Sequence, residues 1–282
     1  MKVGLLLEGG AMRGMYTAGV LDVMMEHGIE VDVAVGVSAG AAFGVNYKSR
    51  QIGRAVRYNM NYCRDPRYMG LKSLIKTGDL YGADFCYREI PDELDIFDYE
   101  AYRENPMRFF VVCIDAETGE TVYHENKTSD DTDMKYLRAS ASMPFVSKVV
   151  EVDGRKLLDG GVADSIPIEW LKRQGVDKVI AILTREVGYV KKKKAILRVA
   201  KLALKKYPKL AQAMERRPDV YNRSLRETEK MEREGRLFLF RPKVKPEIGR
   251  ITRDPEKLRR VYETGRRDAE ERMEALKKYL AE

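Results

Sequence analysis

Histidine is nearly absent from this chain: its 282 residues include two, His27 and His124. Neither stands at ligand spacing from a cysteine or from the other, so the sequence offers no zinc site. His27 precedes Gly28 at an expected helix C-terminus, where a polar side chain caps carbonyls. His124, in Thr-Val-Tyr-His-Glu-Asn, reads as an exposed strand end. Three cysteines, Cys63, Cys86 and Cys113, are odd in number and widely spaced, which fits reduced thiols better than a disulfide framework. No run approaches the roughly 18 uninterrupted apolar residues of a membrane span, and Met1–Leu7 meets Glu8 too early for a secretory core. The expectation is a soluble, cytoplasmic chain. With 44% hydrophobic residues and no repeat or Gly/Ser-rich linker, it can bury one sizeable core.

What is present is concentrated at residues 31–40, where an apolar strand runs into Gly36-Val37-Ser38-Ala39-Gly40. This spacing predicts a nucleophile elbow with Ser38 exposed at a sharp strand-to-helix turn; Gly36 and Gly40 keep the neighbouring chain clear. An ordinary tight turn has the same spelling. Upstream, Val3–Leu7 reads as a buried parallel strand, ending in Glu8-Gly9-Gly10-Ala11-Met12-Arg13-Gly14. A helix follows from Met15 to Gly28, closing a β-α-β unit whose first loop should meet Ser38.

A strand, a glycine loop and a helix also describe a dinucleotide site. Here Ala11 occupies the middle glycine position, and no acidic residue ends the second strand. The other reading makes Gly9–Gly14 an oxyanion hole, with the N–H groups of Gly10 and Ala11 directed at a developing negative charge and Arg13 bracing the loop.

Residues 50–106 carry tyrosines at 58, 62, 68, 81, 87, 99 and 102 among charges and turn residues. Such a segment either packs as surface helices with wet hydroxyls, the plainer reading, or caps an apolar pocket. Arg108–Ile114 and Thr121–His124 read as strands, and a small-residue helix should stop at Pro144. Asp153-Gly154 then predicts a two-residue hairpin between Lys148–Val152 and Arg155–Leu158. Its second strand ends in Asp159-Gly160-Gly161, with Asp164 a competing carboxylate.

The glycine loop, the elbow serine and the Asp-Gly-Gly segment occur in the order of the patatin-like phospholipase family, which this sequence resembles from residue 3 to about 183. Arg13-Gly14, Ala139-Ser140-Ala141 with Pro144, and Asp159-Gly-Gly-Val-Ala-Asp add to the likeness; Glu8 and Ala11 stand where some plant members have aspartate and glycine. The resemblance implies a three-layer α/β/α sandwich with a mainly parallel sheet. It also implies a Ser38–Asp159 dyad without histidine, a Gly9–Gly14 oxyanion hole, a lipid or acyl ester substrate, and no cofactor or metal. A nucleotide-binding or non-catalytic domain, or an acyltransferase, would keep the same loops.

Lys178–Leu183 reads as one more buried strand, and the residues to 190 as the end of the catalytic core. From 191 to 282 a basic helical extension is expected, packed on that core as part of one domain. Residues 191–217 hold 11 Lys and Arg against Glu215. Lys194, Arg198, Lys201 and Lys205 fall on one helical face and Ile196, Val199, Ala200 and Ala203 on another, which suits peripheral contact with an anionic membrane or a solvated face over the core. Nucleic acid fits poorly, with Tyr207 alone for stacking. Leu237–Phe240 reads as a last strand, and Asp254-Pro255 as the start of a helix running to the C-terminus.

Overall fold

The computed structural model describes residues 1–193 and 204–282. Eight strands form one sheet: β1 (Val3–Leu7), β2 (Val33–Val37), β3 (Arg108–Asp115), β4 (Thr121–Glu125), β5 (Val150–Val152), β6 (Arg155–Asp159), β7 (Lys178–Ile182) and β8 (Leu237–Phe240). Their order is β5-β6-β3-β2-β1-β7-β8, with β4 also on β3. The strands β3, β2, β1, β7 and β8 pair in parallel; β4 and β6 join β3 antiparallel. Strand β1 is buried throughout because both sheet faces are covered. Leu5 and Leu7 enter one core and Leu6 the other, as a period of two requires.

Helices α1 (Met15–Glu26), α2 (Ala39–Lys48), α3 (Arg54–Tyr62), α4 (Leu71–Thr77), α5 (Tyr99–Glu104) and α6 (Asp131–Ala141) precede the hairpin. After it come α7 (Ile168–Lys172), α8 (Pro208–Arg233), α9 (Pro255–Glu270) and α10 (Met273–Ala281). The layers are helix, sheet and helix, the expected architecture. Asp153 and Gly154 both take positive φ, as the hairpin reading requires.

Some boundaries differ from expectation for local reasons. Strand β2 begins at Val33 rather than Val31, because the Asp32 carboxylate accepts the Val3 N–H at 2.6 Å and ties the chain beside β1 before pairing starts. The terminal helix breaks after Glu270, where Arg272 donates to the Leu239 carbonyl and its guanidinium covers the rings of Phe238 and Phe240. Within the stretch expected to be a helical extension, α8 runs for 26 residues with Pro218 inside it, a helix whose bounds the sequence does not mark. Lys194, Ile196, Arg198, Val199, Ala200, Lys201 and Ala203 lie outside the described residues; Lys205 is exposed in a turn.

Helices α1 and α9 touch backbone to backbone. A Cβ on Gly19 would lie 2.1 Å from the Tyr262 carbonyl oxygen, and one on Gly265 at 2.1 Å from that of Tyr16. The flanking tyrosines bond reciprocally: Tyr16 donates to Asp268 at 3.0 Å and Tyr262 to Asp22 at 2.8 Å. Residues 237–281 thus complete both the sheet and the layer over it.

Candidate active site

Sheet register sets the site. Val37 pairs with Val112 and Asp159 with Cys113, so the residue following β2 and the last residue of β6 arrive at the same level of β3, in its carboxyl half. Ser140 on α6 locks this junction: its hydroxyl donates to the Val112 carbonyl at 2.7 Å and accepts the Ser38 N–H at 2.9 Å. Ser38 sits at φ 55°, ψ −122°, a strained conformation for a residue with a side chain, and caps α2. The turn can be this tight because a Cβ on Gly40 would stand 2.3 Å from the Leu7 carbonyl oxygen; Gly36 is equally confined against Ala41.

The glycine loop comes from the adjacent β1. Gly9 lies directly on Ser38, where an added Cβ would be 2.9 Å from the serine Cβ. Gly9, Gly10, Ala11 and Arg13 line the same pocket as Ser38 and Asp159. Ala11 takes φ 49° and opens a helical turn, so its N–H has no partner within that turn. Gly14 does not line the pocket; it gives close passage to Phe43. Arg13, expected to brace the loop, makes no side-chain hydrogen bond among the described residues, and its guanidinium lines the pocket instead.

Asp159 is buried, accepts the Gly161 N–H at 2.7 Å, and lies close enough to the Ser38 hydroxyl for that group to favour its charged form. Burial raises its pKa, opposed chiefly by the guanidinium of Arg217. A raised pKa makes the carboxylate a stronger base than its ordinary range allows. Gly160, passing over the Val112 carbonyl, lets this turn close onto β3. Asp164 is held elsewhere by the Tyr123 hydroxyl at 2.7 Å. Neither histidine lines the site: His27 pairs with Glu270, and His124, half-buried rather than exposed, bonds Asp133 at 2.6 Å and stacks on Tyr136.

Two cavities meet at Ser38, sharing Ala11, Ser38, Met143 and Arg250. The larger, about 120 Å³, is apolar, lined by Met12, Phe43, Tyr58, Tyr87, Ile90 and Leu137 among others. Tyr58, Tyr68, Tyr81 and Tyr87 all face it, which overturns the plainer reading of residues 50–106 as surface packing with wet hydroxyls. The hydroxyl of Tyr68 is satisfied internally, donating to Asn59 at 2.7 Å. The smaller cavity, about 30 Å³, is polar and holds Glu8, Asp159, Arg13, Lys191, Arg217 and Arg250.

Sequence reasoning missed the outer wall of this second cavity. Glu8 is buried, accepting from the Thr184 N–H at 2.7 Å and from the Tyr221 hydroxyl at 2.8 Å. Lys191 lies 4.0 Å above the Tyr221 ring, and burial lowers its pKa to about 7. Lys191 and Arg217, the ends of the stretch expected to meet a membrane, turn inward to this pocket. Their one signal in the sequence is charge.

A serine at positive φ on the carboxyl edge of a parallel sheet, facing a glycine loop and a buried carboxylate, is the arrangement of a hydrolase-like α/β site. The chain belongs to the patatin-like phospholipase family, whose model matches residues 5–171. A second model, a domain of unknown function (DUF6363), matches residues 207–281. The uncharacterized protein YjjU of Escherichia coli is 27% identical over 65% of this chain and 52% of its own length. Lysophospholipase NTE1 of Meyerozyma guilliermondii is 28% identical over 67% of this chain and 13% of its own. An uncharacterized NTE family protein of Mycobacterium bovis is 26% identical over 64% of this chain and 48% of its own. The chain therefore matches about half or less of these relatives.

Proposed function

We propose that this protein is a serine lipid acyl hydrolase of the phospholipase A or esterase type. Ser38 is the nucleophile, Asp159 its base, and the Gly9–Ala11 loop the oxyanion hole. The observation that carries the reading is the strained Ser38 at the mouth of an apolar cavity, beside a buried carboxylate whose pKa burial raises. The Ser38 oxygen attacks the ester carbonyl while its proton passes to Asp159. The N–H groups of Gly10 and Ala11, with the N-terminus of α2, stabilise the oxyanion. The alcohol departs with that proton, and water, deprotonated by Asp159, then cleaves the acyl-serine to the free acid.

The family membership and the lysophospholipase name of the NTE1 relative favour a lipid ester over a small one. No described helix is long and apolar enough to cross a membrane. Leu71 and Ile75, one turn apart, Phe145 and Ile251 are exposed apolar side chains; Ile251 lines the apolar cavity and, with Leu71, a neighbouring groove. The exposed Lys192, Lys205, Lys206 and Lys209 would favour peripheral contact with an anionic membrane.

The test is fluorophosphonate labelling, together with hydrolysis of short and long p-nitrophenyl esters by wild type and Ser38→Ala. Labelling and turnover that vanish in the variant, with preference for the longer chain, are expected. Absence of both in the wild type sinks the hydrolase reading.

A further inference from the structure

The polar cavity carries more positive charge than the proposed chemistry uses. Four cations, Arg13, Lys191, Arg217 and Arg250, line it against two carboxylates. Both carboxylates have fixed hydrogen-bond partners, Glu8 taking Thr184 and Tyr221 and Asp159 taking Gly161 and Ser38; the Arg217 guanidinium is the chief opposite charge felt by Asp159. Among the described residues none of the four cations forms an ion pair, and the buried Nε atoms of Arg13 and Arg217 have no hydrogen-bond partner. Buried donors and charges are ordinarily paired, so a cluster left open in a cleft marks a place for an anion. Guanidinium groups beside an ammonium match the oxygens of a phosphate group in particular.

The position of the cluster says which part of a substrate bears that anion. An ester reacting at Ser38 divides at its carbonyl, with the acyl chain running into the apolar cavity. Its alcohol then points the other way, into the cationic one. Resting on the hydrolase reading above, we infer that Lys191, Arg217 and Arg250, with Arg13, form a subsite for a phosphate carried on the alcohol of the ester. The substrate class is a lysophospholipid with a compact anionic headgroup, such as a 1-acylglycerol 3-phosphate. The cavity is small, and a quaternary ammonium beyond the phosphate meets repulsion there. Lys191, Arg217 and Arg250 all lie outside the patatin-like match, and two of them fall within residues 207–281, so the subsite gives that region of unknown function a part in the reaction.

The experiment uses the full chain and three lipids with one acyl chain, presented in neutral detergent micelles: 1-acylglycerol 3-phosphate, 1-acylglycerophosphocholine and 1-monoacylglycerol. The expected kcat/KM for the phosphate ester exceeds that for monoacylglycerol at least tenfold, with the choline ester below the phosphate ester. Lys191→Gln and Arg250→Gln should each lower the phosphate-to-monoacylglycerol ratio by about tenfold, the effect of one charged hydrogen bond. Titration with glycerol 3-phosphate should show binding in wild type that both variants weaken. This arm reads the subsite even if turnover and serine labelling fail and the hydrolase reading falls.

Equal rates on the three lipids, or ratios unmoved in both variants, overturn the inference. So does the absence of glycerol 3-phosphate binding at millimolar concentration. Inhibition of monoacylglycerol hydrolysis by inorganic phosphate without any headgroup preference overturns it too, and reassigns the cluster to a free anion.

Discussion

The two cavities that meet at Ser38 are built from different parts of the chain on opposite principles. The apolar one takes much of its wall from residues 50–106, short helices and turns whose tyrosines at 58, 68, 81 and 87 face inward. The polar one is closed by Lys191, Arg217 and Arg250, which form no ion pair among the described residues. The sheet edge between them supplies the serine, the glycine loop and the aspartate. Loops on a rigid edge fix where chemistry would occur, and the two additions decide what can be brought to it. Both additions are amphipathic in composition, as tyrosine and the long cations are.

The largest expected effect tests whether the junction is the reacting centre at all. Ser38→Ala should abolish ester hydrolysis, and Asp159→Asn should cost about 10²- to 10⁴-fold, the usual contribution of a positioned base. Asp164→Asn, whose amide oxygen still accepts from the Tyr123 hydroxyl away from both cavities, should keep most of the activity. Equal losses in the two aspartate variants would remove Asp159 from its proposed role.

Next is a change confined to the apolar side. Ala42 on α2 lines that cavity, and Phe in its place fills the space an acyl chain needs. Ala42→Phe should lower kcat/KM for a long p-nitrophenyl ester about tenfold more than for the acetate, given about 0.8 kcal/mol for each methylene denied burial. An unchanged ratio would mean that the chain lies elsewhere.

Much of the sheet edge was legible. β1, β3, the Asp153-Gly154 hairpin and β8 follow from unbroken apolar runs and one turn dipeptide, and Ser38 and Asp159 meet because register brings the ends of β2 and β6 to the same level of β3. The walls were not legible, for physical reasons. A tyrosine gives the same pattern whether its ring faces a cavity or the solvent, and Tyr68, in the turn after α3, finds its hydroxyl partner Asn59 back on that helix. Arg217 stands in a run of charge that reads as a solvated face; only the fold of α8 across the sheet brings it beside Asp159. Pro218, one residue on, disguises the helix that carries it.

Arg217 couples the polar side to the junction through charge. Because its guanidinium holds back the rise that burial imposes on Asp159, the acid limb of kcat/KM reports both burial and this charge. The base acts when deprotonated, so activity falls as pH drops through its pKa. For wild type that limb should lie above the ordinary carboxylate range. In Arg217→Gln it should move to higher pH, measured on an uncharged p-nitrophenyl ester. A limb that stays in place while activity falls would reduce Arg217 to a packing role.

The smallest effect separates the two sides by pH alone. Burial, then the neighbouring Arg217, Arg250 and Arg185, lower the Lys191 pKa to about 7 against the opposing charge of Glu8, while the rings of Tyr189 and Tyr221 face it. Its positive charge is therefore present below about 7 and lost above. If that charge meets the anionic part of the substrate, KM for a 1-acylglycerol 3-phosphate should rise about fivefold between pH 6 and 8, the difference between a charged and a neutral hydrogen bond. KM for the uncharged monoacylglycerol reads the apolar side and should stay level over the same interval. Removing the titrating group by Lys191→Gln should abolish the rise and leave only the second ionisation of the substrate phosphate, which strengthens binding as pH increases. A rise that survives this substitution belongs to another group, and the contrast between the two cavities would then have to rest on Arg217 and Arg250.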